Sequence, residues 1–326
     1  MFHGLPYKTK HFFYLLIKLS IVGGAFYLIY QKIVNNDNLE FDVFVSFLIK
    51  NDVFSSKNVI FLIFFTVFNW FFEIAKWKEL VSFVKNISFF EALKQSLASL
   101  TASLFTPNRI GDYAAKLMFY PKELRKRILL LNLLSNMAQM SATLIFGIIG
   151  LYFFINKYDL DISYYRLASL GGLIIIVILF SSVGIKHDRI KIKGISIARI
   201  TDFIKRIPKI ILLKNFLFSI FRYLIFSFQF YFLLSIFKVD VTYMNAMIVI
   251  TTMYLISSII PSIFIFDVVI KGSIALYLFD ITGVDNLTIL TIILLMWILN
   301  FVLPSILGSF FVLNYKPYRT IEAINK

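Results

Sequence analysis

The sequence predicts an all-α polytopic membrane protein with about six full transmembrane helices and two re-entrant helical hairpins in an inverted repeat. Hydrophobic residues make up 59% of the 326-residue chain, aromatic residues make up 18%, and the mean hydropathy is +0.82. These values lie well above those of soluble domains. We therefore expect a single integral membrane domain over residues 1–326.

Six apolar segments approach or exceed the ~20 residues that cross the hydrocarbon core as a helix. The first follows Lys8 and Lys10 as a signal peptide would, but it lacks a small-x-small cleavage site, so we expect it to be retained. The predicted spans are Phe12–Tyr30, Asn58–Trp77, Leu129–Phe154, Leu167–Val183, Leu213–Phe237 and Leu287–Leu313.

The distribution of charge predicts the topology. The net charge of +15 arises from 33 Lys and Arg against 18 Asp and Glu, and the basic residues concentrate in Lys78–Lys94, Pro121–Arg127 and Ile185–Lys214. Basic loops remain on the cytoplasmic side, where they also meet anionic lipid. This distribution places both termini in the cytoplasm and the chain in the inner membrane. Because the sequence contains no nucleic-acid-binding motif, we expect no nucleic-acid partner.

Two segments, Glu91–Tyr120 and Asn245–Phe279, are apolar but broken by proline and charge. Pro107 interrupts the first and Pro261 the second. By the charges of their flanks, the first begins and ends inside and the second begins and ends outside, so we expect both to re-enter. Irregular backbone at membrane depth survives only where it is buried in protein or lines a wet cavity.

Alignment of the two prolines reveals an internal repeat. Asp112 precedes Lys116 by four residues, just as Asp267 precedes Lys271 by four residues. The charge topology makes the preceding spans run in opposite directions, which predicts inverted repeats over residues 58–155 and 212–314. Inverted repeats with discontinuous segments are typical of alternating-access transporters.

Ionised side chains within the membrane are the candidate substrate-binding residues, because each costs roughly 2.5–3.5 kcal/mol without a partner or ligand. We expect them to face an anionic headgroup: Arg109, Asp112, Lys116, Arg222, Asp267 and Lys271. Alternatives remain open. Each acid–base pair could neutralise itself, Arg109 could anchor at the membrane surface, and Arg222 could pair with Glu73.

Prolines and glycines at the breaks are candidate hinges. Pro107 and Pro261 interrupt the helices, while Gly111 and Gly272 are expected to permit tight turns or close packing. A polar face formed by Asn132, Asn136 and Gln139 is expected to make interhelical hydrogen bonds rather than substrate contacts.

Several chemistries are disfavoured by the composition. The chain has no cysteine, and its three histidines lie outside the predicted spans, so we expect neither a metal site nor a cofactor. An embedded transferase would need a nucleophile or a metal-binding carboxylate cluster, and a channel would need a filter-like repeat or a charged ring. The sequence shows none of these, so we expect no enzymatic activity.

The first broken segment contains TPNRIGDYAAK, at Thr106–Lys116, which resembles the P-x-R-x-G-[E/D]-x-x-x-[R/K] segment of the lysylphosphatidylglycerol synthetase transmembrane, or flippase-like, family. The second contains PSIFIFDVVIKGSIALYLF, which is similar to a later segment of that family, with Val269 where glycine is expected. The resemblance covers roughly Asn58 to Leu313. It implies a membrane protein that translocates a lipid or supports a lipid-decorating enzyme.

The functional prediction is a flippase-like transporter that moves an anionic phospholipid or a polyprenyl-phosphate-linked lipid between leaflets by alternating access. The alternative is a non-catalytic membrane partner of a glycosyltransferase or a lipid-modifying enzyme. Membrane lipids are the expected partners, and a homo-oligomer remains open. Since only 13 residues follow Leu313, we expect no counterpart of the family's fused aminoacyl-transferase domain, and we do not expect the chain to synthesise an aminoacylated lipid.

Overall fold

The computed structural model describes residues 41–104, 106, 110–158, 191–192, 195–259 and 264–315, together with a few isolated positions before residue 41. Side chains are described neither at 191–200 nor at 264–270. The predicted spans Phe12–Tyr30 and Leu167–Val183 lie outside these ranges, as do Pro107, Arg109 and Pro261.

The described chain is helical apart from one antiparallel pair of two-residue strands, β1 (Lys191–Ile192) and β2 (Ile195–Ser196). The all-α prediction is therefore confirmed. The helices are α1 (Phe41–Lys50), α2 (Ser56–Ser82), α3 (Phe89–Ser103), α4 (Ile110–Met118), α5 (Arg125–Lys157), α6 (Ile197–Arg206), α7 (Lys209–Ile236), α8 (Tyr243–Ile259), α9 (Phe264–Asp280), α10 (Asn286–Trp297) and α11 (Leu303–Leu313), and a π-helical turn (Ile298–Val302) joins α10 to α11.

In the part of the chain that the structure describes, four helices are long and apolar enough to cross a membrane. They are α2, α5, α7 and the composite helix Asn286–Leu313, and they confirm four of the six predicted spans. Phenylalanine, leucine and isoleucine dominate their exposed faces, which is what a lipid-facing surface requires because lipid tails are themselves apolar.

The first predicted break lies between α3, which ends at Ser103, and α4, which begins at Ile110; Leu104 and Thr106 belong to neither helix. The second predicted break, at Pro261, lies outside the described residues. A capping box starts α3, since the Ser88 side chain accepts from the Glu91 amide and the Glu91 side chain accepts from the Ser88 amide. This reciprocal capping satisfies two amides that a helix N-terminus leaves unpaired.

The two glycines expected at these breaks behave differently. The Gly111 amide donates to Thr106 Oγ1 over 2.7 Å, and a Cβ at Gly111 would lie 2.5 Å from the Ala102 carbonyl oxygen. The chain therefore approaches itself closely at Gly111. Gly272 lies inside α9, where the nearest atom to a Cβ would belong to Leu290, at 3.7 Å. This ordinary van der Waals distance leaves room for a methyl group at Gly272.

The helices α2 and α7, which begin the two predicted repeats, are antiparallel. Along α2, the residues Thr66, Glu73 and Glu79 contact Gln229, Arg222 and Lys214, respectively, so the two numberings run in opposite directions. An inverted repeat requires that equivalent helices of its two halves cross the bilayer in opposite directions.

The repeats exchange their packing partners. Helix α3 of the first packs against α11 at the end of the second, and α8 of the second packs against α5 at the end of the first. Both contacts are close. A Cβ at Gly308 on α11 would clash with the Leu97 carbonyl oxygen, and a Cβ at Gly150 on α5 would clash with the Thr251 hydroxyl. Each of these two helix pairs therefore joins one predicted repeat to the other.

Candidate functional site

Lys116 and Asp112 form the centre of a buried polar cluster between α3, α4 and α5. The Lys116 ammonium lies 3.3 Å from each Asp112 carboxylate oxygen and donates to Asn132 Oδ1 over 2.8 Å. Asn132 Nδ2 and Ser99 Oγ donate to the two Asp112 oxygens over 2.8 and 2.6 Å. Asp112 and Lys116 thus neutralise one another, which is one of the alternatives that the sequence left open. Asn132 also takes part in the cluster, through hydrogen bonds to both side chains.

Trp77 supports this cluster from α2. The Lys116 Nζ lies 4.4 Å from the Trp77 ring centroid, a cation–π contact. Gln95 Oε1 accepts from Trp77 Nε1 over 2.8 Å and from the Tyr120 hydroxyl over 2.6 Å. Burial raises the pKa of the Tyr120 hydroxyl above its usual range, so this group stays protonated and donates. The ring beneath Lys116 is therefore held in one orientation.

Glu73 is the centre of a second cluster between α2 and α7. Its Oε2 lies 2.7 Å from Arg222 Nη1 and 2.8 Å from Lys76 Nζ. The expected alternative for Arg222, pairing with Glu73, is observed. Lys76 is only 1% exposed, and among the described residues its ammonium has this ion pair and no hydrogen-bond partner of good geometry.

A row of buried amides extends from Arg222. Arg222 Nε donates to Asn69 Oδ1 over 3.0 Å, and Asn69 Nδ2 donates to Asn300 Oδ1 over 2.7 Å. Asn300 Nδ2 donates to Gln229 Oε1 over 2.9 Å, and Gln229 Nε2 donates to Thr66 Oγ1 over 3.0 Å. We refer to Thr66, Asn69, Arg222, Gln229 and Asn300 as the amide row. It joins three helices through polar side chains, which would find no water to hydrogen-bond in the hydrocarbon core.

The local sequence explains why Asn300 occupies this position. Pro304 has no amide hydrogen, so the Asn300 carbonyl loses its usual helical donor four residues later. The chain widens there into the π-helical turn, and the Trp70 indole N–H donates to the freed carbonyl over 3.1 Å. Single π-helical turns inside helices are frequent at functional sites.

Replacement of Asn300 by leucine is expected to lower the free energy of unfolding by about 2 kcal/mol, because Asn69 and Gln229 each lose a buried partner. Chemical unfolding in mixed micelles, followed by circular dichroism, measures the change. Asn314→Leu is the matched control, since Asn314 is exposed and its side-chain amide bonds only to its own helix, at the Phe310 carbonyl. Equal stability of the two variants would contradict the buried amide row.

The two clusters form one electrostatic unit, because the charge of Lys116 acts on both Glu73 and Lys76. The structure thus brings Asp112, Lys116 and Arg222 together. Within the described part of the chain, this charged site holds three cations, Lys76, Lys116 and Arg222, around two carboxylates, Glu73 and Asp112. Among these five side chains the cations outnumber the carboxylates by one, and an anionic group could balance that charge.

Lys271 makes a different contact. Its Nζ lies 5.8 Å from the ring centroid of Phe301 in the π-helical turn, and its side chain lines a cavity beside α10. The two repeat-related lysines therefore meet rings on different helices, Trp77 for Lys116 and Phe301 for Lys271. Asp267 lies on α9, but its side chain is outside the described residues, as is the whole of Arg109.

Sequence reasoning did not select several residues of the charged site and the amide row. Lys76 and Asn69 were visible as polar residues near the end of an apolar span, and Asn300 was visible as the one amide of the last span. A polar side chain inside an apolar span is a usable signal of a buried contact. Sequence patterns do not reveal the side-chain partners of Asn69 and Asn300, because those partners lie on other helices. The partner of Lys76 is Glu73, three residues earlier on α2.

Comparison with protein families gives a match to the model of the lysylphosphatidylglycerol synthase TM region over residues 49–308. This range contains all the charged-site residues described above. Comparisons with curated proteins and with solved structures give no match. The matched region covers well over half of the chain, and the chain belongs to the lysylphosphatidylglycerol synthase transmembrane region family.

Proposed function

We propose that the protein is a flippase-like transporter that moves an anionic phospholipid or a polyprenyl-phosphate-linked lipid between leaflets by alternating access. The observation that carries this proposal is the excess cation of the charged site. A buried positive charge without a full set of partners is costly in the membrane. A lipid phosphate that reaches Lys76 would relieve this cost.

Lys76 is the residue best suited to a transient anionic ligand. Arg222 and Lys116 each make several hydrogen bonds to protein groups, whereas the Lys76 ammonium has three donors and, in the described residues, a single ion pair. A ligand phosphate could therefore bind Lys76 without breaking the Glu73–Arg222 pair. This property suits a substrate that must bind and then leave.

The repeat architecture supports alternating access. Antiparallel α2 and α7 meet at the charged site, and each repeat packs its broken segment against the other repeat. Rocking of one repeat against the other would change the contacts at this interface and so expose the site to one leaflet at a time. We further propose an inner-membrane location with both termini in the cytoplasm, which the basic loops favour.

The test is translocation of NBD-labelled phosphatidylglycerol in proteoliposomes. Lys76→Met is expected to slow translocation about tenfold, since the loss of one charged contact of ~1.4 kcal/mol is a factor of ten. Folding should survive, because Glu73 keeps its pair with Arg222. Labelled phosphatidylcholine should move more slowly than the anionic lipid.

The matched control is Lys214→Met. Lys214 pairs with Glu79 on the same two helices, but its side chain is 44% exposed and lies away from the charged site, so its loss should leave translocation unchanged. Equal rates for Lys76→Met and the wild type would contradict the role of Lys76. A wild type that moves no lipid but co-purifies with a glycosyltransferase or a lipid-modifying enzyme would favour the alternative of a non-catalytic partner.

A further inference from the structure

The end of α4 is held by a residue of the other predicted repeat. Tyr315 follows α11 by two residues, and its hydroxyl donates to the Met118 carbonyl oxygen over 2.7 Å. Its ring meets the ring of Phe119 edge to face, with the two ring centroids 5.0 Å apart. The two contacts therefore join the end of the second predicted repeat to the last turn of a helix of the first.

The bond from Tyr315 satisfies a carbonyl group that α4 leaves unpaired. The last four carbonyl groups of a helix have no donor within its regular hydrogen-bond ladder. Backbone amides of the following turn donate to the carbonyl oxygens of Lys116 and Leu117, and the Tyr315 hydroxyl is the donor for Met118. Since this bond lies at an exposed position, water can replace Tyr315 there, and the bond can break at little cost.

Helix α11, which leads into Tyr315, is fixed on α3. A Cβ at Gly308 would lie 2.2 Å from the Leu97 carbonyl oxygen, and Phe311 packs edge to face on Phe90 with ring centroids 6.1 Å apart. Helix α4 packs on the same helix α3. If α4 moved away from α3, the contact with Tyr315 would have to break, whereas the packing between α3 and α11 could stay.

Helix α4 carries the buried pair of Asp112 and Lys116. The two residues are 7% and 2% exposed, and they bond to Ser99 of α3 and Asn132 of α5. With nine residues, α4 is too short to be a stable helix by itself in water, so it depends on its packing. Separation of α4 from α3 would therefore unwind α4 and admit water to the pair.

We propose that Tyr315 is a latch for α4. Release of its hydroxyl from the Met118 carbonyl lets α4 separate from α3 and opens the Asp112–Lys116 pair at this end of the helix bundle. The first broken segment then opens at α4 without loss of the packing between α3 and α11. The use of this opening as a gate for a lipid headgroup rests on the proposed function, whereas the latch itself does not.

Hydrogen–deuterium exchange of the whole protein in detergent tests the latch. The variant Tyr315→Phe keeps the ring contact with Phe119 and removes the hydroxyl. We expect the amides of residues 110–120 to exchange about fivefold faster, the factor that corresponds to ~1 kcal/mol for one hydrogen bond. The reason is that exchange in a short helix follows its local opening. A peptide within α7 should exchange at the wild-type rate.

Asn314→Leu is the matched control. It removes a hydrogen bond at the same end of α11, from the Asn314 side chain to the Phe310 carbonyl, and leaves the bond to α4 in place. Exchange of residues 110–120 should therefore stay at the wild-type rate. Unchanged exchange of these residues in Tyr315→Phe would overturn the proposal. Equal acceleration by both variants, or in α4 and α7 alike, would also overturn it, since either result shows a general loosening.

Lipid translocation by the same proteins separates the latch from the proposed function. Faster exchange of α4 in Tyr315→Phe, together with a wild type that translocates no lipid, would refute the proposed function and leave the latch intact. Unchanged exchange in a protein that does translocate an anionic lipid would refute the latch alone. The two ideas can therefore fail separately.

Discussion

Replacement of Asp112 by asparagine is expected to lower the free energy of unfolding by about 3 kcal/mol, because it leaves the buried Lys116 ammonium without its carboxylate. Lys116 is only 2% exposed and cannot reach water without local opening. The effect should lie at the lower end of the range for broken buried ion pairs. Asn132 and the Trp77 ring still contact the ammonium, and the charge of Glu73 still acts on it.

A double-mutant cycle separates the ion pair from the general cost of mutation. Lys116→Met alone leaves the Asp112 carboxylate buried with the hydrogen bonds of Ser99 and Asn132. The double variant Asp112→Asn/Lys116→Met contains neither charge and should be more stable than Asp112→Asn alone. Chemical unfolding in mixed micelles gives all four free energies. If the two single substitutions changed the free energy of unfolding additively in the double variant, the two side chains would not stabilise one another.

Gly308→Val is expected to lower the free energy of unfolding by about 3 kcal/mol through overpacking. A Cβ at Gly308 would clash with the Leu97 carbonyl oxygen and the Thr101 hydroxyl, so α11 would have to move away from α3. The movement would also stretch the hydrogen bond of 2.9 Å from Thr101 Oγ1 to the Ser305 carbonyl. Since this contact joins the two repeats, we also expect less folded protein after purification, as measured by size-exclusion chromatography.

Gly272→Ala is the matched control for this prediction. Gly272 is also buried in a helix, but a Cβ there has ordinary van der Waals contact with Leu290. The change should be neutral or stabilising by about 0.5 kcal/mol, since alanine loses less backbone freedom than glycine in a helix. If Gly272→Ala lowered the free energy of unfolding as much as Gly308→Val does, the close contact between α3 and α11 would not be the cause of the destabilisation.

Local features of the fold could be predicted because they depend on residues close in sequence. Length and hydropathy alone identify α2 and α7, and the polar segment around Pro107 predicts the interruption between α3 and α4. The pair of Asp112 and Lys116 follows from the four-residue spacing, which places both side chains on one helical face. Gly272 shows the limit of this reasoning, because the need for a glycine depends on how near a second helix comes.

The sequence by itself determined the helical class, the four spans that the structure describes, the interruption between α3 and α4, and the acid–base pair within α4. Only the tertiary structure decided that Glu73 meets Arg222, 149 residues away in the chain, and that Asn300 continues the row to Gln229. The physical reason is that helical periodicity fixes neighbours within one helix, whereas packing of antiparallel repeats fixes which polar groups meet between helices. The excess charge of the charged site, which carries the proposed function, arises from that packing.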